Sequence, residues 1–349
     1  MKGKKWGIFI VLLVMLMVVS ACGHSAAQEK VQTADSKDGV ITLKVADSFP
    51  TSHNLSQEGA VYWMDRVEEL TDGKVKFEYF PAEQLGKADD LLDAAKNKVA
   101  DVAYVGIGYV SDKLPLSGVG ELPNAFDTSV KGTKAYWQVT QDILLEEEFL
   151  KNGVRPVYAV TLPPYQVMTT QKPVKELSDM KGIKVRSGGG AQSLTIEKLG
   201  GTPVSMPAPE IYTAMERKTI DGTLFALPSV KPYQLEEQLK YITENANLGS
   251  FIVSYCINEN VWQSLPDDVK AAMTKAGEET MNHLSHYLDE LTEKEKKEFM
   301  AKGIEFSEVD EDAIQKKTKA VWNDWAEELN NRGLPATKVV DAFREALEE

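Results

Sequence analysis

Apolar and polar residues alternate in short runs along most of the chain, and each run gives way to a segment of helical spacing. Ile41, Leu43 and Val45 form the first such run, which leads into Asp47-Ser48-Phe49-Pro50. Ala60, Met64, Val67 and Thr71 then recur at helical spacing, and Gly73 stops the pattern. Val75, Phe77 and Tyr79 predict a second strand, residues 89–98 a helix and residues 102–105 a third strand. Residues 133–150 read as helix and 155–161 as strand. A second series starts near Tyr165: strands at 167–169 and 183–186, a helix at 192–199 ended by Gly200 and Gly201, a short strand at 203–206, a helix at 210–218 and a strand at 222–226. Strand and helix in alternation predict a mainly parallel sheet covered by helices. Here that happens twice, in two α/β units of similar size.

A late apolar run, Phe251 to Ile257, is expected to return to the first unit, because the second already has its strands. Two or more crossings between units make a hinge. Val269, Met273, Ala276, Thr280, Leu284, Tyr287 and Leu291 share one face of a long helix over 266–302. The charge run from Glu293 to Glu298 reads as a solvated face. A short strand at 304–306 and two helices end the chain, and no internal repeat is found. The predicted fold class is therefore α/β, with two domains, a hinge, a ligand cleft and a long helix near the C-terminus. The first domain takes residues 40–163 and 250–290, the second 164–249 and 291–349.

The first residues follow another pattern. Lys2, Lys4 and Lys5 precede twelve unbroken apolar residues, Ile8 to Val19, and then Ser20-Ala21-Cys22. A basic start, a short apolar run and small residues before a cut mark a secretion signal, here 1–21. The run is shorter than the roughly 20 residues that span a bilayer. Val19-Ser20-Ala21-Cys22 is similar to a bacterial lipobox, which implies cleavage before Cys22 and lipidation of its thiol. Residues 22–39 are small and polar, and read as a tether between the outer face of the cell membrane and the fold. Cys256 is then the one free thiol, and its apolar strand context predicts a buried, inert residue.

Composition narrows the function. The chain has 349 residues and a formal net charge of −14. Cleavage would remove three lysines and no acid, leaving −17. No basic patch or stripe is present, which excludes nucleic acid as a partner. An acidic protein that binds an anion needs a local positive site, and one stretch offers it: Met180-Lys-Gly-Ile-Lys-Val-Arg186-Ser-Gly188-Gly189-Gly190. This reads as a turn, a strand, an arginine at the strand end and a glycine run before a helix. Guanidinium meets a carboxylate through two parallel N–H donors, and ligands collect at strand ends and helix N-termini. Phe49, Tyr109, Tyr165 and Phe225 sit at predicted strand ends and would wall an apolar cleft.

Catalytic chemistry has little support. His283 and His286 are i, i+3 neighbours without a third metal ligand at suitable spacing. No G-x-S-x-G elbow occurs. Gly106-Ile-Gly108-Tyr-Val-Ser111 fails the dinucleotide fingerprint, because Ser111 stands where the third glycine belongs. Nothing calls for a cofactor or a metal.

Several stretches, in order across nearly the whole mature chain, resemble the extracytoplasmic solute receptors of TRAP transporters (tripartite ATP-independent periplasmic transporters). They are Phe80-Pro-Ala-Glu-Gln84-Leu-Gly86, Gly120-Glu-Leu-Pro123-Asn-Ala-Phe126, Leu177-Ser-Asp-Met-Lys-Gly-Ile-Lys-Val-Arg186, Leu199-Gly-Gly-Thr-Pro-Val204, Glu210-Ile-Tyr212-Thr-Ala-Met215, Ile220-Asp-Gly222 and Trp262-Gln-Ser-Leu-Pro266. The resemblance implies a two-domain periplasmic-binding-protein-like fold that closes on one small organic anion, usually a carboxylate. It implies delivery to a permease of a small and a large membrane subunit, driven by an ion gradient. Arg186 would take the carboxylate, with Gln84 and Tyr212 as further ligand-binding candidates. The glycine run Gly188 to Gly190 is then a bend that frees space beside the guanidinium. Many members carry a polar side chain, often Asn, soon after the aspartate-glycine pair. Here Gly222 is followed by Thr-Leu-Phe-Ala-Leu-Pro228, which points to a monocarboxylate with an apolar or aromatic part. Rival readings are a lipid-anchored sensor for a membrane kinase, a receptor for an ATP-driven importer and an exported hydrolase.

Overall fold

A computed structural model of the chain describes residues 36–37 and 39–349. The export signal and Cys22 lie outside the described residues and remain expectations. Strands come in chain order as β1 (Ser36–Lys37), β2 (Val40–Ala46), β3 (Val75–Phe80), β4 (Val102–Gly106), β5 (Val154–Thr161), β6 (Gln166–Thr169), β7 (Lys184–Ser187), β8 (Thr202–Ser205), β9 (Gly222–Phe225), β10 (Tyr241–Thr243), β11 (Ile252–Asn258) and β12 (Glu305–Ser307). The helices are α1 (Tyr62–Leu70), α2 (Leu91–Lys96), α3 (Ser129–Val139), α4 (Gly190–Leu199), α5 (Ile211–Glu216), α6 (Glu259–Ser264), α7 (Asp267–Ala301), α8 (Glu311–Asn331) and α9 (Ala336–Glu348).

Two six-stranded sheets organise two lobes. The first runs β1-β2-β4-β11-β5, with β3 also on β2; the second runs β12-β10-β6-β9-β7-β8. Strand β11 does enter the first sheet, between β4 and β5, and all its residues are buried. That position explains its unbroken apolar sequence. The sheets are mixed, not mainly parallel. β11 is antiparallel to both neighbours, and β6 is antiparallel to β9 and β10. Alternating strands and helices specify direction only where a helix carries the chain back across the sheet. β11 arrives directly from the other lobe, and the link from β5 to β6 holds no helix.

Three further expectations shift. Pairing begins before Val40, since Ser36 and Lys37 lie antiparallel to Ile41 and Val40, inside the stretch read as tether. Helix α7, about 50 Å long at 1.5 Å per residue, drifts as it runs. Val269, Met273, Ala276, Thr280 and Leu284 are buried as expected, but the buried stripe continues through Leu288 to Glu295 and Phe299. Glu295, inside the predicted solvated charge run, is buried and lies 3.5 Å from Lys231 of the second lobe. The terminal helices also part company: α8 packs on α4, whereas α9 packs on α3 in the first lobe, away from the domain expected to hold 291–349. Its stripe of Val339, Val340, Phe343 and Ala346 is buried there.

Candidate functional site

Strand β7 lies between β8 and β9, parallel to both, with Arg186 opposite Val204 and Thr223. A central strand is covered on both faces, so Arg186, near its carboxyl end, is 0 % exposed. Its Nε donates to the Met206 carbonyl at 2.9 Å and its Nη2 to the Tyr109 hydroxyl at 3.2 Å. Its Nη1 is buried and has no hydrogen-bond partner. The rings of Phe225 and Tyr109 lie 5.6 and 5.9 Å from the guanidinium carbon, within cation–π range. No described carboxylate forms an ion pair with it.

The glycine run after Arg186 brings the lobes together. Gly189 has φ +113°, and a Cβ there would stand 2.5 Å from the Gly108 carbonyl oxygen of the first lobe. A Cβ on Gly188 would stand 2.8 Å from the Phe251 ring. The run therefore serves close approach between lobes more than it opens space beside the arginine. Tyr109, from the turn after β4, ties them further: its hydroxyl also accepts from Ala208 N at 3.0 Å. Across the same cleft, Asn54 Nδ2 donates to the Pro228 carbonyl at 2.9 Å. The lobes are closed on the arginine.

Aromatic rings pack around the arginine and on from it toward the first lobe. Tyr165 and Phe225 have centroids 6.0 Å apart, Tyr109 and Phe251 4.8 Å, and Phe49 and Tyr104 4.5 Å. Phe225 also meets Tyr233 at 6.1 Å, and Tyr233 meets His53 at 5.2 Å. His53 is fully buried, which pushes its pKa down to about 3 and keeps the ring neutral. Its Nε2 and the Tyr233 hydroxyl are buried without partners, like Arg186 Nη1.

Glu121 is the acid whose ionisation Arg186 influences. It is fully buried, and Oε1 accepts from Gly108 N at 3.1 Å and Ile252 N at 3.2 Å. Burial outweighs those bonds and the arginine's pull, and raises its pKa to about 8. At neutral pH it is mostly uncharged. Arg186 thus lies buried as a cation without an ionised protein partner, an arrangement that favours an incoming anion. Elsewhere, a groove of about 510 Å³ opens between Pro123, Trp322 and Arg344. Its arginine is already stacked 4.8 Å from Trp322, and none of its residues has a buried unpartnered polar atom.

Of the residues named from sequence, Arg186, Phe49, Tyr109, Tyr165 and Phe225 come together. Gln84 and Tyr212 do not. Gln84 is exposed on the turn after β3. Tyr212 lies on the outer side of α5, where its hydroxyl donates to Glu237 at 2.9 Å. Sequence reasoning missed His53, Tyr233, Tyr104, Phe251 and Glu121. His53 had a usable signal, since it follows the carboxyl end of β2, where ligands gather. Elsewhere, His283 pairs with Glu58 at 2.8 Å and stacks on Tyr62 at 4.3 Å. Cys256 is buried, with its thiol pushed up to about 12 by burial, as its inert reading requires.

Residues 46–329 match the family model described as "Bacterial extracellular solute-binding protein, family 7". A TRAP solute binding protein from Rhodoferax ferrireducens T118, solved with copurified benzoate, superposes with a TM-score of 0.83 at 25% identity, covering 88% of this chain and 98% of that one. A solute-binding protein of Roseobacter denitrificans is 25% identical over 83% of this chain and 88% of its own length. The sialic acid-binding periplasmic protein of Vibrio cholerae is 25% identical over 70% of this chain and 75% of its own.

Proposed function

Because the chain belongs to family 7 of the bacterial extracellular solute-binding proteins, the TRAP receptors, we propose that it captures one small carboxylic acid with an apolar or aromatic body and hands it to a TRAP permease of small and large membrane subunits. The observation that carries this reading is Arg186, buried as a cation with an unpartnered Nη1 and only neutral groups against it. A carboxylate supplies the missing charge and acceptor. The surrounding rings of Phe225, Tyr165, Tyr109 and Phe251 suit an apolar body. Copurified benzoate in the Rhodoferax ferrireducens protein is a ligand of that kind, and sialic acid, named for the Vibrio cholerae relative, is a larger and more polar carboxylate.

Capture is by closure. The acid enters between open lobes, binds Arg186 from the second, and favours the closed form by its greater affinity for it. Hydrogen bonds to charged groups contribute roughly 1.5–3 kcal/mol each, so a bidentate pair supplies about half of the ~8 kcal/mol of a micromolar complex. Calorimetry should therefore find Arg186→Ala and Arg186→Lys weakened about tenfold or more toward small carboxylates. Unchanged affinity in Arg186→Ala would remove the carboxylate assignment. A thermal-shift screen over small carboxylates is the direct route to the ligand. The binding reading is preferred to a hydrolase because the matching family model and the solved neighbours are solute-binding proteins.

A further inference from the structure

His53 is held in place by more than packing. Its backbone heads the helical segment at Leu55–Val61 that runs on into α1: its N–H donates to the Pro50 carbonyl at 2.8 Å, and its carbonyl accepts from Ser56 N at 2.9 Å and Gln57 N at 3.0 Å. Its ring lies 4.9 Å from Phe49 and 5.2 Å from Tyr233. Its Nδ1 accepts from the Leu55 N–H at 3.1 Å. A ring nitrogen that accepts carries no proton, so in the neutral imidazole the proton sits on Nε2. Nε2–H is then a fixed donor, buried and without a partner.

Tyr233, whose ring lies against that of His53, has a hydroxyl that is also buried and unpartnered. The Tyr233 ring meets Phe225 at 6.1 Å, and Phe225 is the ring beneath Arg186. Three buried groups without partners thus share one aromatic wall. Other unpartnered donors, such as Tyr158 and Trp63, pack in the core of the first lobe. Buried donors are rarely left unpaired, and a ligand with a wholly apolar body would match only the arginine.

We propose that His53 and Tyr233 form a second polar station, which takes a hydroxyl or carbonyl oxygen of the ligand separate from the carboxylate at Arg186. The proposal rests on the carboxylate reading of Arg186 and narrows it to hydroxy- or oxo-substituted acids. His53 belongs to the first lobe and Arg186 to the second. Such an acid therefore touches both lobes through polar groups, and each contact adds preference for the closed form. A site built to hydrogen-bond a hydroxyl discriminates against the analogue that lacks it, because its own donors are left unmatched.

The test compares parent acids with their oxygenated derivatives on the mature chain, unfolded and refolded to strip carried ligand. Calorimetry would use benzoate with the hydroxybenzoates, and phenylacetate with mandelate and benzoylformate. The wild-type protein should bind at least one oxygenated acid about tenfold more tightly than its parent. His53→Phe and Tyr233→Phe should each reduce that preference to within about twofold, read as the ratio of the two affinities within the same variant. Tyr233→Phe removes a single oxygen and decides the matter alone should His53→Phe not fold. A preference that survives both substitutions overturns the proposal, as does a wild type that favours no oxygenated acid. Failure of the carboxylate reading is distinguishable, because it shows in Arg186→Ala as undiminished affinity for every acid.

Discussion

Glu121 makes a pH dependence readable at one residue. Its folded pKa is about 8, against an ordinary value of 4.5, because burial penalises the charged form. Between those values the unfolded chain has lost a proton that the folded chain keeps. Stability therefore falls as pH rises through that window and levels off above about 8. Asp47, buried and raised to about 6 despite hydrogen bonds from Tyr79 and Tyr255, acts in the same sense at lower pH. Glu121→Gln keeps the acceptor for Gly108 N and Ile252 N but cannot ionise. Denaturant unfolding at pH 5 and 8.5 should show the wild type losing a few kcal/mol and Glu121→Gln losing less. Equal losses would mean that Glu121 does not set the slope. That Arg186 and the four aromatics would lie near one another was legible from their shared place at predicted strand ends, with the motif adding weight to the arginine. Gln84 and Tyr212 were carried by motif alone, and a motif does not say which side of a turn or helix a residue takes. Tyr233 was hidden because the short turns around it bear no periodicity, and only folding sets it against His53.

The junction from β7 to α4 shows how an element can control an affinity without touching a ligand. Gly189 combines φ +113° with a first-lobe carbonyl 2.5 Å from its absent Cβ. Gly189→Ala adds backbone strain of about 1–3 kcal/mol and a clash that exists only when the lobes meet. Calorimetry should show every acid weakened by a similar factor, tenfold or more, unlike the selective loss predicted at His53. Full affinity in this variant would show that closure does not need the glycine contact. Most strands and helices were legible because period-2 and period-3.6 patterns are local. Strand direction was not, since it depends on where a connection leaves the chain. Nor was the drift of α7, whose buried stripe follows two lobes in turn and ends on Glu295 and Phe299. The placement of α9 on α3 was equally hidden, because a buried stripe shows which face is covered but not by what.

At the scale of the molecule, two sheets linked through β11 and spanned by α7 were foreseeable as two α/β units with crossings. Attachment is a question at the same scale. If Cys22 carries lipid, two or more acyl chains hold the receptor on the membrane. A Cys22→Ser protein should then be recovered in the soluble extracytoplasmic fraction, and one that still sediments with membranes would count against the anchor. The enclosure of Arg186 has its own consequence, for rates. No acid can reach a side chain that is 0 % exposed until the lobes part. A captured acid is held to the same rule, and leaves only when the lobes part. Discrimination among acids then shows mostly in departure, in how long each acid delays the next opening.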